Sequence, residues 1–368
     1  MAPGRTTALG AVVVAALVAA GCASSGVTAP PSAGAGSAAG SSIAPATAPA
    51  SIASGAATSA APGPMTNVGF ILNFLAGGPQ AGFTYAKQLG YYAQEGLNVT
   101  IQEGQGSAST AQLTATGQTP FGYSDGPSTM AVRAKGGPVT IIAPILQTNA
   151  FAVISLAKSN ITSLADLVGK SVAVQPGTAQ TTLLDPLLKG NNIDPSKLTV
   201  VNIAPAALVS TLLQGKVDAI LAGADFQAVQ IEDQGYKINE QFYADYGVPT
   251  VGLSIIANDS YLKQHPDIAK KFVDASLRGW AAAQKNPAAA AQSMVTAFPA
   301  ATQKQILEQL NVDLKFVCAK GATALGVPPE SVWTKTYQLL TQYLSLPTSV
   351  PITDYYSTQY LPANPPAC

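Results

Sequence analysis

The sequence predicts an α/β fold of two lobes with a ligand cleft between them. Two observations carry this. From residue 65 onward, short apolar runs alternate with helical stretches punctuated by glycine and proline, the pattern of parallel sheets covered on both faces. The stretch 65–368 is also larger than one comfortable hydrophobic core.

The elements follow in order. Residues 68–73 form an apolar strand, and a helix over 79–89 stops at Gly90. Residues 98–103 alternate apolar and polar, as a half-buried strand does. A helix over 109–116, a strand over 120–124 and a helix ending near Lys135 follow, then strands over 139–145 and 151–157. The middle repeats this scheme. Ser163 caps a short helix, and strands fall at 171–175, 198–203, 217–222 and 250–257. Helices start near Gly177 (kinked at Pro186), at Pro205 and at Asp225. From Pro266 the chain turns mostly helical. Ile268, Phe272, Ala275, Gly279 and Ala283 recur at steps of three and four, one face of a long helix opened by proline. Further helices are expected over 288–297, 302–310 and 330–344.

Composition excludes several classes. Nineteen basic and nineteen acidic side chains cancel, and only 10% of residues are charged, against roughly 25% in an average soluble domain. With no basic field, nucleic acid is not an expected partner. One histidine and three cysteines are too few for a zinc site or for histidine-based acid–base chemistry. Neither metal nor cofactor is expected.

The N-terminus reads as an address. Arg5 precedes an apolar run over 9–20, too short to span a membrane and typical of a signal peptide. The run ends in Ala19, Ala20, Gly21 and Cys22, which resembles a bacterial lipobox, with Ala19 departing from the usual Leu or Val. The resemblance implies a diacylated Cys22 and a lipid anchor on the extracytoplasmic face of the cell membrane. Residues 23–64 are Ala, Ser, Gly, Pro or Thr apart from Val27, Ile43 and Ile52, with no charge. Such a stretch cannot offset its chain entropy and reads as a disordered tether. After export, Cys318 and Cys368 are read as one disulfide, worth about 4 kcal/mol in the chain-entropy model, with two buried free thiols as the alternative.

An ordered set of motifs spans nearly all of 65–368. It comprises Leu72-Asn73-Phe74, YAKQLGYYAQEGLNV over 85–99, ITSLADLVGK over 161–170, LQGKVDA over 213–219, Tyr246-Gly247-Val248-Pro249, and the segment from Pro266 to Pro287 with Gly279-Trp280. This set resembles the substrate-binding proteins of bacterial ABC importers for thiamine-pyrimidine precursors, alkanesulfonates and nitrate. The resemblance implies a type II periplasmic-binding-protein-like fold. Lobe one would comprise 65–152 and 249–368, lobe two 153–248, with hinges near Ala150–Phe151 and Val248–Thr250. A monomer would close on a small molecule and deliver it to a transporter permease.

By the same resemblance, Asn73 and Phe74 contact the ligand. An amide can pair with a ring nitrogen and its neighbouring amine, and an aromatic face can stack on a planar molecule. Gln80 stands where relatives often carry histidine. Ser124, Asp125 and Ser128 follow a strand end, where Asp125 serves an amine ligand, an N-cap, or both. Thr178, Gln180 and Thr181 open a lobe-two helix that suits an anionic group or is simply capped. Asp225 follows the 217–222 strand toward the same cleft. The body's two arginines, Arg133 and Arg278, fall on no expected cleft loop. The reading is therefore a binding protein for a pyrimidine or other planar nitrogenous molecule, with a sulfonate, taurine or nitrate binder as the alternative. A related enzyme branch forms thiamine pyrimidine by consuming its own histidine. Ser128 stands at that place here, and the branch's cysteine-rich motif is absent, so no catalytic residue is expected.

Overall fold

A computed structural model describes residues 64–368. The expected signal peptide, Cys22 and the expected tether up to residue 63 lie outside the described residues.

Ten strands form two five-stranded sheets. β1 (Thr66–Ile71), β2 (Leu97–Gln102), β3 (Phe121–Asp125), β4 (Val139–Pro144) and β10 (Leu253–Asn258) build the first, in the order β2-β1-β3-β10-β4. β5 (Phe151–Leu156), β6 (Ser171–Val174), β7 (Thr199–Asn202), β8 (Ala219–Gly223) and β9 (Ile238–Phe242) build the second, in the order β7-β6-β8-β5-β9. Each sheet is the heart of one lobe.

The sheets are mixed, which corrects the all-parallel expectation. β1 runs parallel to β2 and β3, and β6 parallel to β7 and β8. β10 runs antiparallel to β3 and β4, and β5 antiparallel to β8 and β9. The reason is topological: the chain crosses between the sheets twice. β5 enters the second sheet, and β10 re-enters the first, from the side where the parallel strands end, so each must run against them. The crossings, 145–150 and 243–252, lie side by side. Asn149 Nδ2 donates to the Val248 carbonyl at 3.0 Å and to Thr250 Oγ1 at 2.8 Å, and the Phe151 amide donates to Asn149 Oδ1.

Lobe one packs around aromatic rings. Phe121 stacks on Phe272 at 4.5 Å, Tyr92 on the other side of Phe272 at 5.5 Å, and Phe83 meets Trp280 edge-on at 5.8 Å. The Ala81–Gln88 helix and the Pro266–Lys285 helix approach closely through glycine. A Cβ on Gly82 would lie 2.4 Å from the Trp280 ring, and one on Gly279 would lie 2.4 Å from Ala86. Trp280 is wholly buried. The separate lobe-two core is aliphatic, from Ile154, Leu208, Leu212, Ile220 and Ile231 with several alanines. A third cluster joins the lobes through Val153, Tyr243, Val248, Val251 and Ile256, with Trp333 and Leu340 from the Glu330–Tyr343 helix.

Three local departures matter for the site. The expected helix at Gly177 is broken: Ala179–Thr182 is one turn, and the helix restarts over Leu184–Gly190 with Pro186 in its first turn. The segment expected to start a helix at Asp225 opens as a π-turn over Ala224–Ala228 before Val229–Asp233. β9 is missed by sequence reading because INEQF has little apolar alternation and lies at a sheet edge. Cys318 and Cys368 are bonded, with Cα atoms 5.8 Å apart, tying the tail to lobe one, where Ala324 also bridges to Ala367. No helix among the described residues is long and apolar enough to cross a membrane.

Candidate functional site

In open α/β sheets, ligand crevices lie beyond the carboxyl ends of parallel strands. Four such ends converge here. β1 delivers Asn73 and Phe74, β3 delivers Asp125, β6 delivers Gln175, and β8 delivers Asp225. With Gln80, Thr178, Gln180 and residues of the crossings, they line one cavity between the lobes.

The lobe-one wall is held by its own hydrogen bonds. Buried Gln80 donates from Nε2 to Asn73 Oδ1 at 2.7 Å, and its Oε1 accepts the Gly77 amide at 2.9 Å. This fixes the Asn73 amide so that its NH2 points away from Gln80. Asp125 is buried and caps the Gly126–Ala134 helix, its Oδ1 accepting the Ser128 amide at 2.8 Å. Burial pushes the Asp125 carboxyl above the usual range, against the pull of its hydrogen bonds. Asp125 therefore caps a helix and lines the cavity at once.

The lobe-two wall is made of short turns. Thr178 caps the one-turn helix, while its hydroxyl donates to the Gln175 carbonyl at 2.9 Å. Buried Gln175 Nε2 has no partner in the structure, so a donor is left over at the cavity wall. Tyr243 Oη donates to the Gln180 carbonyl at 3.0 Å and fixes that backbone. Phe226 meets Phe74 edge-on, 5.6 Å between ring centres, across the cavity. Asp225 is buried in the π-turn, and desolvation lifts its carboxyl to about 6.

Three expected residues do not reach the cavity. Ser124 is wholly buried behind β3, where its hydroxyl donates to the Ser107 carbonyl and accepts from Thr129. Ser128 sits one helical turn past the cap and faces a groove with Val132, Leu340 and Leu344. The Thr181 hydroxyl turns back to the Gln175 carbonyl at 2.7 Å. Conversely, Ser107, Asn149, Gln175, Phe226 and Gln227 line the cavity although sequence reading did not select them. The signal for Gln175 is present, since it is the last residue of the strand expected over 171–175. Asn149 has no comparable signal, because its place depends on the two crossings being adjacent.

Among the described residues, the ionisable lining side chains are Asp125 and Asp225, and no Lys, Arg or His lines the cavity. Arg133 is committed to Asp259 at 2.8 Å. Arg278 lies over the Tyr91 ring at 4.2 Å and pairs with Glu95 and Asp274. His265 packs against Tyr261 at a helix junction. Among the described residues, no group of three or more His, Cys, Asp or Glu is placed to hold a metal ion.

Known proteins similar to this chain in sequence include binders and synthases. The chain is 27% identical over 209 residues to the formylaminopyrimidine-binding protein of Halalkalibacterium halodurans, a match spanning 56% of this chain and only 63% of that protein. It is 26% identical over 298 residues to the riboflavin-binding protein RibY of Chloroflexus aurantiacus, covering 77% of this chain and 82% of RibY. It is also 26% identical over 238 residues to a 4-amino-5-hydroxymethyl-2-methylpyrimidine phosphate synthase of Legionella pneumophila, 64% of this chain and 74% of the synthase. Among solved structures, the periplasmic aliphatic sulphonate-binding protein SsuA of Escherichia coli superposes with a TM-score of 0.64 at 17% identity, covering 78% of this chain and 96% of SsuA. The periplasmic nitrate-binding protein NrtA of Synechocystis superposes with a TM-score of 0.59 at 15% identity, covering 80% of this chain and 87% of NrtA. These likenesses establish the two-lobed periplasmic-binding-protein fold. The sequence profile described as NMT1/THI5 like matches residues 79–290, more than half of the chain and the whole cavity wall from Pro79 onward. The chain belongs to the NMT1/THI5-like family.

Proposed function

We propose that this protein is a solute-binding protein, not an enzyme, that captures a planar nitrogenous molecule of the aminopyrimidine class by lobe closure. In this reading it presents the closed form to an ABC importer permease as a monomer. The observation that carries the reading is the cavity wall itself: fixed amides, a spare Gln175 donor and two carboxyls, with no side-chain cation. Asn73 Nδ2 and Gln175 Nε2 are donors for ring nitrogens and carbonyls, and Asp125 or Asp225 accepts from an exocyclic or protonated amine. Phe74 and Phe226 offer apolar faces to a flat ring. The two adjacent crossings, tied by Asn149, act as the hinge, and the ligand stabilises closure by touching both walls.

A sulfonate or nitrate ligand fits less well, because a buried anion beside two carboxyls and no cation is poorly compensated. Chemistry on the pyrimidine, as the synthase relatives' name implies for them, is disfavoured because His265 stands away from the cavity. Cys22 would carry the lipid anchor, with 23–64 as its tether. The Cys22→Ala protein should then move from the detergent-extractable membrane to the soluble fraction, and its retention in the membrane would refute the anchor.

The test of ligand class is a thermal-shift panel containing aminopyrimidines, riboflavin, taurine, aromatic carboxylates and nitrate. A ligand at about 100 times its dissociation constant adds roughly 2.7 kcal/mol. An aminopyrimidine or flavin should raise the melting temperature. A shift with taurine or nitrate alone would overturn the proposed class.

A further inference from the structure

Behind the cavity, two buried carboxyl groups stand on elements of different lobes that pack against each other. Asp225 comes from the lobe-two π-turn and Asp313 ends the Gln303–Asp313 helix, which packs on lobe one. Asp313 is wholly buried, and neither of its oxygens has a hydrogen-bond partner in the structure. Tyr123 Oη, on β3 of lobe one, is equally buried and unpartnered. The same boundary is tightly fitted. The Gly78 amide donates to Gln309 Oε1 at 2.9 Å, and a Cβ on Gly77 would lie 3.0 Å from the Phe226 ring.

Two buried carboxylates on elements packed together cannot both keep their charge without a cation or a shared proton. We propose that Asp225 and Asp313 form a proton-sharing latch that fastens lobe two to lobe one. Asp313 keeps the proton and donates it to ionised Asp225. The electrostatics agree in direction: burial and the Asp225 charge hold the Asp313 carboxyl well above its usual range, while Asp225 is lifted only to about 6. Tyr123 is pushed upward by burial and by both carboxyls, so it remains a neutral phenol beside them. The remaining charged groups near these elements are paired or peripheral. Lys304 bridges Asp233 and Glu308 at the exposed start of the same helix. Glu232 and Lys315 act on Glu240 of β9. None supplies a buried cation to the pair.

The sign follows from proton count. The latched state holds one more proton than a state with both carboxyls hydrated and ionised. Closure is therefore favoured at acid and neutral pH and weakened as pH rises past the point where Asp313 loses its proton. This rests on the hinge closure proposed above, but its test uses no ligand, so its failure is separable from an error in ligand class.

The experiment has two readouts on the full chain. Infrared spectra should show a buried protonated-carboxyl C=O band at about pH 7, diminished in Asp313→Asn. Spin labels on exposed Leu89 of lobe one and Val168 of lobe two should report an interlobe distance that lengthens at alkaline pH in the wild type. The distance should stay constant in Asp313→Asn, whose amide still donates to Asp225. Absence of the band, an interlobe distance independent of pH in the wild type, or identical alkaline lengthening in Asp313→Asn would each overturn the latch. If Asp313→Asn does not fold, Asp225→Asn and the wild-type pH series decide by the same criteria.

Discussion

The two walls of the cavity are built to different standards. The lobe-one wall stands on an aromatic core in which Phe70, Phe83, Tyr92, Phe121, Tyr123, Phe272 and Trp280 are all buried. The wall facing it stands on a core whose buried members are aliphatic, and it consists of a one-turn helix and a π-turn. Large rings interlock in few arrangements, whereas small aliphatic groups tolerate repacking. In lobe one the Gln80–Asn73 pair is therefore oriented before a ligand arrives. Lobe two keeps an unpartnered donor on Gln175 and a wall that can adjust. In the closure proposed above, the difference makes lobe one the platform and lobe two the closing jaw.

The largest expected effect lies in the platform. Trp280→Ala removes a wholly buried ring packed on Phe83 and Gly82, and should cost about 3–5 kcal/mol of unfolding free energy. Leu212→Ala, in the aliphatic core, removes less volume and should cost about 2–3 kcal/mol. Denaturant titration of both variants checks the comparison. A larger loss from Leu212→Ala would reverse the assignment of platform and jaw.

Gln80→Ala comes next. It strands the buried Gly77 amide and frees the Asn73 side chain, so it should cost about 1–3 kcal/mol of stability and weaken ligand binding through lost preorganisation. Thr178→Ala, the matching change in the jaw, removes a cap and one hydroxyl bond to the Gln175 carbonyl, which Thr181 still donates to, and should cost about 1 kcal/mol. Calorimetric affinities for whichever compound the panel selects will check this pair. Equal affinity losses in the two variants would mean that both walls are preformed.

Much of this was legible in the sequence. Asn73, Phe74 and Gln80 are reached through the family resemblance, whereas Asp125, Thr178, Gln180 and Asp225 follow strand ends or open helices, where local pattern points to a cleft. What stayed hidden depends on the path of the chain. The antiparallel entries of β5 and β10 follow from crossing twice between the sheets, which no local window records. Ser128 fails to reach the cavity because, three residues past Asp125, the helix has already turned its side chain toward Leu340 and Leu344. Asp313 falls past the helix expected over 302–310 and belongs to no motif. Only the docking of that helix at the lobe boundary buries it opposite Asp225.

The smallest expected effect is also the most discriminating, because Asp125 has two jobs that one substitution separates. Its carboxylate accepts the Ser128 amide at 2.8 Å as an N-cap, and its burial raises its pKa. Asparagine caps nearly as well as aspartate, so Asp125→Asn should leave stability near neutral pH within about 1 kcal/mol of wild type. Alanine should cost about 0.5–2 kcal/mol by loss of the cap. Because the folded state holds the Asp125 proton longer than the unfolded chain does, the carboxyl's contribution is fully present below the unfolded pKa. It declines as pH rises through the folded one, and Asp125→Asn should remove that slope. If Asp125 also meets an amine on the ligand, Asp125→Asn should weaken an aminopyrimidine with its stability intact, since an amide cannot supply the same charge-assisted acceptor. Unchanged affinity in Asp125→Asn would reduce Asp125 to a cap and leave Asp225, on the jaw, as the cavity's remaining acid.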